Sequence, residues 1–233
     1  MVKNHMKRLA MPKTWKLDRK KIQWVTRPSA GAHGLDKGMA LETVMKELIK
    51  CSHSRKETKS ILHRKEVLVD GKRKRDLKLP VGLMDVVSLP EINEHYRMLL
   101  GKKGEIAVVP IKKEESSIKP CKVTGKTMIK KGITQINLFG SRNVIFKKGE
   151  KIPYKVGDTL VLSLPKQEIK DHLKLEKGAF VYLTGGKHIG KRGKIEGIER
   201  NILKFKTEEG TLLETAKEHA YVVGKDKPAI SLM

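Results

Sequence analysis

Positive charge runs along this chain from end to end, and that limits what it can fold into before any pattern is read. Fifty-one Lys and Arg stand against 26 Asp and Glu in 233 residues, a formal net charge of +25. With 33% of residues charged, little apolar surface is left for any one core, so a few small modules with basic extensions fit best. A surplus of this size repels itself in a free protein and calls for a polyanionic partner, nucleic acid first. An anionic membrane would require a basic amphipathic helix, a run of about 18 or more apolar residues or a lipidation signal. The sequence has none of these. Its start, Met1 to Arg8, also lacks the apolar stretch and cleavage site of a secretory signal, so the expected location is the cytosol.

No stretch between composition shifts is neutral or acidic. An enzyme working on nucleic acid usually needs one basic cleft, whereas charge in every segment suits a protein surrounded by phosphate. Two cysteines, Cys51 and Cys121, are too few for a disulfide framework or a zinc site, and His53 beside Cys51 does not complete one. Buried reduced thiols are expected, with no metal and no cofactor.

Residues 1–40 show no sustained apolar period, and Arg27-Pro28-Ser29-Ala30-Gly31-Ala32-His33-Gly34 reads as extended chain or turns. The segment is expected to be a basic arm that folds on binding, with Trp15 and Trp24 either anchoring it on the protein, the favoured reading, or stacking against RNA. From Leu41 the spacing of Leu41, Val44, Met45, Leu48 and Ile49 predicts a helix with one buried face. Ser54-Arg55-Lys56-Glu57 reads as a capping box opening a second helix to about Arg64, and Val67-Leu68-Val69-Asp70-Gly71-Lys72-Arg73 as a tight hairpin. Val86 to Leu89 supplies another strand. Beyond residue 100, Ile106 to Ile111, Ile133 to Leu138, Asn143 to Phe146 and Leu160 to Leu164 read as strands spaced as in small barrels. Val81-Gly82 through Ser88-Leu89-Pro90 is echoed by Val156-Gly157 through Ser163-Leu164-Pro165, each placing an Asp shortly before an apolar strand.

The densest cationic constellation lies between residues 54 and 75. Arg55, Lys59 and His63 fall at i, i+4 and i+8 on one helix face, while Ile61 and Leu62 point toward the first helix. Lys56, Lys65, Lys72, Arg73, Lys74 and Arg75 extend that face with point charges and guanidinium forks suited to phosphate. A second constellation runs from Gly178 to Ile195 as strand, Gly-rich loop and strand, with Lys187, His188, Lys191, Arg192 and Lys194 as candidate contacts. Gly185, Gly190 and Lys191 satisfy Gly-x-x-x-x-Gly-Lys, but Arg192 stands where a nucleotide loop needs Ser or Thr, and an apolar strand follows where a helix is required.

Ser54-Arg55, Val67 to Gly71 and the Gly82 to Val87 segment resemble the RNA-binding domain named after bacterial small-subunit ribosomal protein four. The Gly178 to Ile195 stretch resembles the KOW motif, a small β-barrel element that binds RNA or protein. His5 to Trp15 and Arg27-Pro28-Ser29 through His33, followed by these modules in this order, resemble small-subunit ribosomal protein four of the archaeal and eukaryotic type along the whole chain. The close soon after Tyr221-Val222-Val223-Gly224 is similar to the archaeal form.

The resemblance implies an α+β multidomain chain: an arm (1–40), a helix-helix-hairpin RNA-binding domain (41–99), a mainly β central domain (100–175) and a KOW SH3-like β-barrel with a short tail (176–233). It implies a structural, non-enzymatic role on the 5′ region of small-subunit (16S) ribosomal RNA beside neighbouring small-subunit proteins, in translation, without membrane or homo-oligomer. Contacts are then expected from Lys7, Arg8, Lys13, Arg27 and His33 of the arm, from Ser54 together with the helix and hairpin cations, and from the Gly-rich loop. Two rivals remain: a KOW-type transcription or RNA-processing factor, and an RNA-modifying enzyme subunit, for which no set of nucleophile, base and orienter is visible.

Overall fold

The computed structural model describes residues 4–147, 149–150, 152–225 and 227–232, and for Lys131 the backbone alone. It is mostly β with few helices and has multiple sheets. The chain divides into two compact units, one of residues up to 101 with 105–117, the other of 102–104 with 118–232.

In the N-terminal unit a five-stranded antiparallel sheet has the order Lys72–Arg73, Leu68–Val69, Val86–Leu89, Glu94–Leu100, Ile106–Pro110. Its last two strands pair along their length, from Tyr96 opposite Pro110 to Leu100 opposite Ile106. The hairpin turns through Asp70 and Gly71, both at positive φ (51° and 73°), the geometry a two-residue Asp-Gly turn requires.

The predicted first helix is helical but widens, with Leu41–Thr43 α-helical and Val44–Ile49 a π-turn. A wider turn rotates each residue through a smaller angle, so a spacing written for 3.6 residues per turn drifts off the core. Leu41, Val44 and Met45 are buried, whereas Leu48 and Ile49 are half-buried.

The arm is packed rather than free. Trp15 is 3% exposed, and its Nε1 donates to the Leu35 carbonyl at 2.9 Å and the Gly38 carbonyl at 3.2 Å. Arg8 pairs with Glu47 at 3.0 Å and the Thr26 hydroxyl donates to Glu42 at 2.8 Å, so the arm is stapled to the first helix. Trp24 stays 47% exposed, edge-on to His5, and does not anchor.

The second unit has two five-stranded antiparallel sheets. One has the order Arg142–Phe146, Ile133–Leu138, Ile118–Ile129, Thr159–Ser163, Ile169–Leu173. The other has the order Leu212–Ala216, Ile202–Thr207, Arg192–Glu199, Phe180–Leu183, Ala220–Gly224. The strand Thr159–Ser163 serves two cores: Leu160 and Leu162 pack with Cys121, Val123 and Ile136, while Val161 joins Val181, Leu203, Phe205 and Val222. A strand buried on both faces reads as an unbroken apolar run. Leu173 also belongs to the second core, so residues before and after 175 share one interior. Cys121 is buried and Cys51 half-buried, both as free thiols.

The echo has a physical meaning. Met84 and Gly157 each take a positive φ (67° and 101°), and the Asp that follows closes the turn. Asp85 Oδ2 accepts from the Gly82 N–H at 2.9 Å, and Asp158 Oδ2 accepts from the Lys155 N–H at 2.8 Å. Each carboxylate also meets a histidine Nε2, His33 at 2.9 Å and His172 at 2.8 Å.

Burial works to raise the Asp158 carboxyl, but the Leu175 and Lys155 N–H groups and His172 outweigh it and hold it below its usual range. Its contribution is present above the ordinary carboxylate range and is lost as pH falls through the depressed value. Asp158→Asn should therefore lower stability at pH 7 by about 1–3 kcal/mol in urea titrations, the deficit narrowing as the pH is taken toward 2.

Candidate nucleic-acid interface

Arg55–Arg64 is the one regular α-helix of more than two turns among the described residues, and its cap explains its rigidity. Ser54 Oγ accepts from the Glu57 N–H at 3.2 Å, as the capping box requires. Glu57 reaches back to the His53 N–H at 2.7 Å, one residue further than the box places it. The His53 N–H, more than any other group, holds the Glu57 carboxyl below its usual range. Thr58 and Leu62 are buried and Ile61 half-buried, which leaves Arg55, Lys56, Lys59, His63 and Arg64 facing solvent.

Arg73 joins hairpin to helix. Its Nη2 donates to the carbonyls of His63 and Lys65 at 3.2 and 3.4 Å, satisfying the end of the helix where orphan carbonyls and the negative pole of the macrodipole lie. The helix face and the exposed Lys72 and Arg75 are thereby held in one geometry, with Lys74 half-buried beside them. Lys65 contributes too, although its Nζ lies 3.2 Å from Glu91, an exposed pair of little worth that a phosphate can replace.

In the second unit the Gly-rich loop joins Phe180–Leu183 to Arg192–Glu199, two paired strands, so a strand begins where a nucleotide loop would need a helix. Gly186 and Gly190 sit at positive φ (75° and 78°). Gly193 lies so close to the neighbouring strand that a Cβ would come within 2.1 Å of the Lys206 carbonyl. Lys187 and Lys191 are exposed, as is Lys194. His188 is held below its usual pKa by burial and by the Lys191 and Lys187 charges. Arg192 pairs with Glu208 at 2.9 Å.

The arm divides. Lys7 and Lys13 are exposed and Arg27 half-buried, as a contact role requires. Arg8 and His33 are buried, Arg8 against Glu47 and His33 against Asp85, and each ties distant segments of the fold together. Ser54 acts through the helix it caps. Arg64 is exposed on the same helix, and Lys78 is half-buried beyond the hairpin.

Among the described residues no group of three or more His, Cys, Asp or Glu gathers as metal ligands, and no helix is long and apolar enough to cross a membrane. Fold and surface together define a mostly β protein with fixed cationic faces.

Comparison with known proteins narrows that class. The profile of Ribosomal family S4e matches residues 92–169, and that of the RS4NT (NUC023) domain matches residues 2–36. The small ribosomal subunit protein eS4 of Methanocaldococcus jannaschii is 42% identical over 240 residues, covering 99% of this chain and 98% of that protein. The eS4 of Methanosphaera stadtmanae is 41% identical over 237 residues, covering 99% and 96%. A crystal structure of the 30S ribosomal protein S4e from Thermoplasma acidophilum superposes with a TM-score of 0.69 at 30% identity, over 81% of this chain and 96% of that one. The chain belongs to the S4e (eS4) family of ribosomal proteins.

Arg73→Ala should lower stability by about 0.5–1.5 kcal/mol in chemical denaturation, because it uncovers the helix end. Lys72→Ala, one residue away and exposed, should stay within about 0.5 kcal/mol.

Proposed function

We propose that this protein is a structural constituent of the small ribosomal subunit, bound in the cytoplasm to small-subunit ribosomal RNA and catalysing no reaction. The observation that carries the reading is the full-length likeness to relatives named small ribosomal subunit protein eS4. It works by neutralising phosphate and by matching the shape of folded RNA.

The contact residues divide into three groups. Lys7, Lys13 and Arg27 serve the arm; Arg55, Lys56, Lys59, His63, Lys65, Lys72, Arg73, Lys74 and Arg75 serve the helix and hairpin. Lys187, His188, Lys191, Arg192 and Lys194 serve the Gly-rich loop. What supports this division is the exposed or half-buried setting of each residue on backbone fixed by caps, tight turns and strand pairing.

We further propose that residues 41–99 form the helix-helix-hairpin RNA-binding module, 100–175 a central β module and 176–233 a KOW SH3-like barrel. The C-terminal sheet supports the last. Its edge strands, Leu212–Ala216 and Ala220–Gly224, are joined by a single 3-10 turn, Lys217–His219. Five flat strands span about 19 Å from edge to edge at roughly 4.8 Å per step, more than the about 14 Å that four residue steps cover, so the sheet must curl. Neighbouring small-subunit proteins are the remaining partners.

In sucrose gradients of a native lysate the protein should co-migrate with small subunits and resist moderate salt. Binding of the isolated protein to transcribed small-subunit RNA through about eight phosphates should weaken on the order of 10⁴-fold between 50 and 200 mM salt. A salt-insensitive affinity, or a pool that follows RNA polymerase, would overturn the reading.

A further inference from the structure

The Arg27 to Gly34 stretch, legible in the sequence only as extended chain and turns, closes a cavity of about 420 Å³ in the N-terminal unit. Arg27, Pro28, Ser29, Gly34, Leu35 and Lys78 line it, and no Asp or Glu is among the described lining residues. Two cations thus share a concave wall, and the nearby Asp76, which accepts from the Lys78 N–H at 2.9 Å, is not among the lining residues. Elsewhere in the unit exposed lysines do have acids beside them, as Lys65 has Glu91 and Lys16 has Glu105.

The wall is fixed before any ligand arrives. The Ser29 N–H donates to the Lys78 carbonyl at 2.8 Å, tying the two cation-bearing segments together. Gly31 lies against Pro80 so closely that a Cβ would sit 2.5 Å from its Cγ. Behind the loop, His33 is wedged against Gly82, where a Cβ would fall 2.5 Å from the His33 ring and 2.4 Å from the Lys37 carbonyl. His33 is held there by Asp85, 2.9 Å away.

The volume falls within the range of small-ligand clefts and suits one nucleotide. A guanidinium and an ammonium match a phosphate, and Pro28 and Leu35 offer apolar surface to a sugar or base. We propose that this cavity seats one unstacked nucleotide of the bound ribosomal RNA, its phosphate between Arg27 and Lys78. The inference rests on the RNA-binding reading above and deepens it, from a charged surface to a discrete seat.

Gly34 gives a test that leaves charge untouched. It lines the cavity and has no neighbour within 4 Å of where a Cβ would stand, so Gly34→Leu adds bulk at the cavity wall without a backbone clash. The full-length parent, Gly34→Leu, the pair Arg27→Gln with Lys78→Gln, and a control pair of exposed arm lysines, Lys20→Gln with Lys21→Gln, are compared. Each is bound to transcribed small-subunit RNA, with hydroxyl-radical footprints, salt titrations and thermal midpoints recorded.

Gly34→Leu should lose one discrete protected position, bind about tenfold more weakly and lower the salt slope by about 1, since the phosphate no longer reaches its seat. The Arg27 and Lys78 pair should lose the same position and lower the slope by about 1. The control should keep that protection. If Gly34→Leu lowers the thermal midpoint, the cation pair carries the test alone. An unchanged footprint in the cation pair, or loss of the same protection in the control, overturns the seat while leaving RNA binding intact. A parent that protects no RNA overturns both.

Discussion

A carboxylate sunk beneath the surface of a strongly cationic protein costs free energy unless it finds hydrogen-bond donors, and this fold is organised around carboxylates that do. Asp85 and Asp158 each close a turn on an N–H three residues back and grip a histidine from a distant segment. Asp158 also takes the Leu175 N–H, and Asp70 takes that of Val86 across the hairpin. Glu42 and Glu47 do the same service for the arm through Thr26 and Arg8. Acids are the scarce charge in this chain. Spending several of them inside, as clasps between segments remote in sequence, leaves lysines and arginines outside in excess.

That arrangement reconciles two demands that conflict in an ordinary globular protein. Net charge of +25 opposes a compact state. Each internal clasp lowers that cost locally, because a buried acid attracts the cations around it while its hydrogen bonds fix the backbone. What repulsion remains is relieved when phosphate arrives, so folding and binding draw on the same surplus.

Features that depend on neighbouring residues were legible in the sequence: the Ser54 cap, the Asp70-Gly71 turn, and the strands from Ile133 and from Val86. Features that depend on distant partners were not. The arm looked unable to fold because Met6, Met11 and Trp15, its buried anchors, have no common period. The twelve-residue strand Ile118–Ile129 was hidden by Lys119, Pro120, Lys122 and Gly125, which break any alternation, and by a bulge between Val123 and Gly125. Arg8 and His33 were read as contacts because charge type is visible in sequence and burial is not. The Asp echo was visible, but its meaning lay in His33 and His172, which no local pattern connects to it.

The cations then differ in kind by what holds them. Arg8, 3% exposed at the side chain and facing Glu47, cannot turn to a phosphate without leaving that half-buried acid unpaired. Arg192 with Glu208 and Lys204 with Glu199 are surface pairs, worth little in water and readily exchanged for a stronger anion. Arg73 lies between, since one nitrogen of its fork serves the helix end while the remainder faces outward. Affinity for RNA should therefore follow the exposed and weakly paired cations rather than the total of 51, and the buried ones should influence binding only through the geometry they enforce.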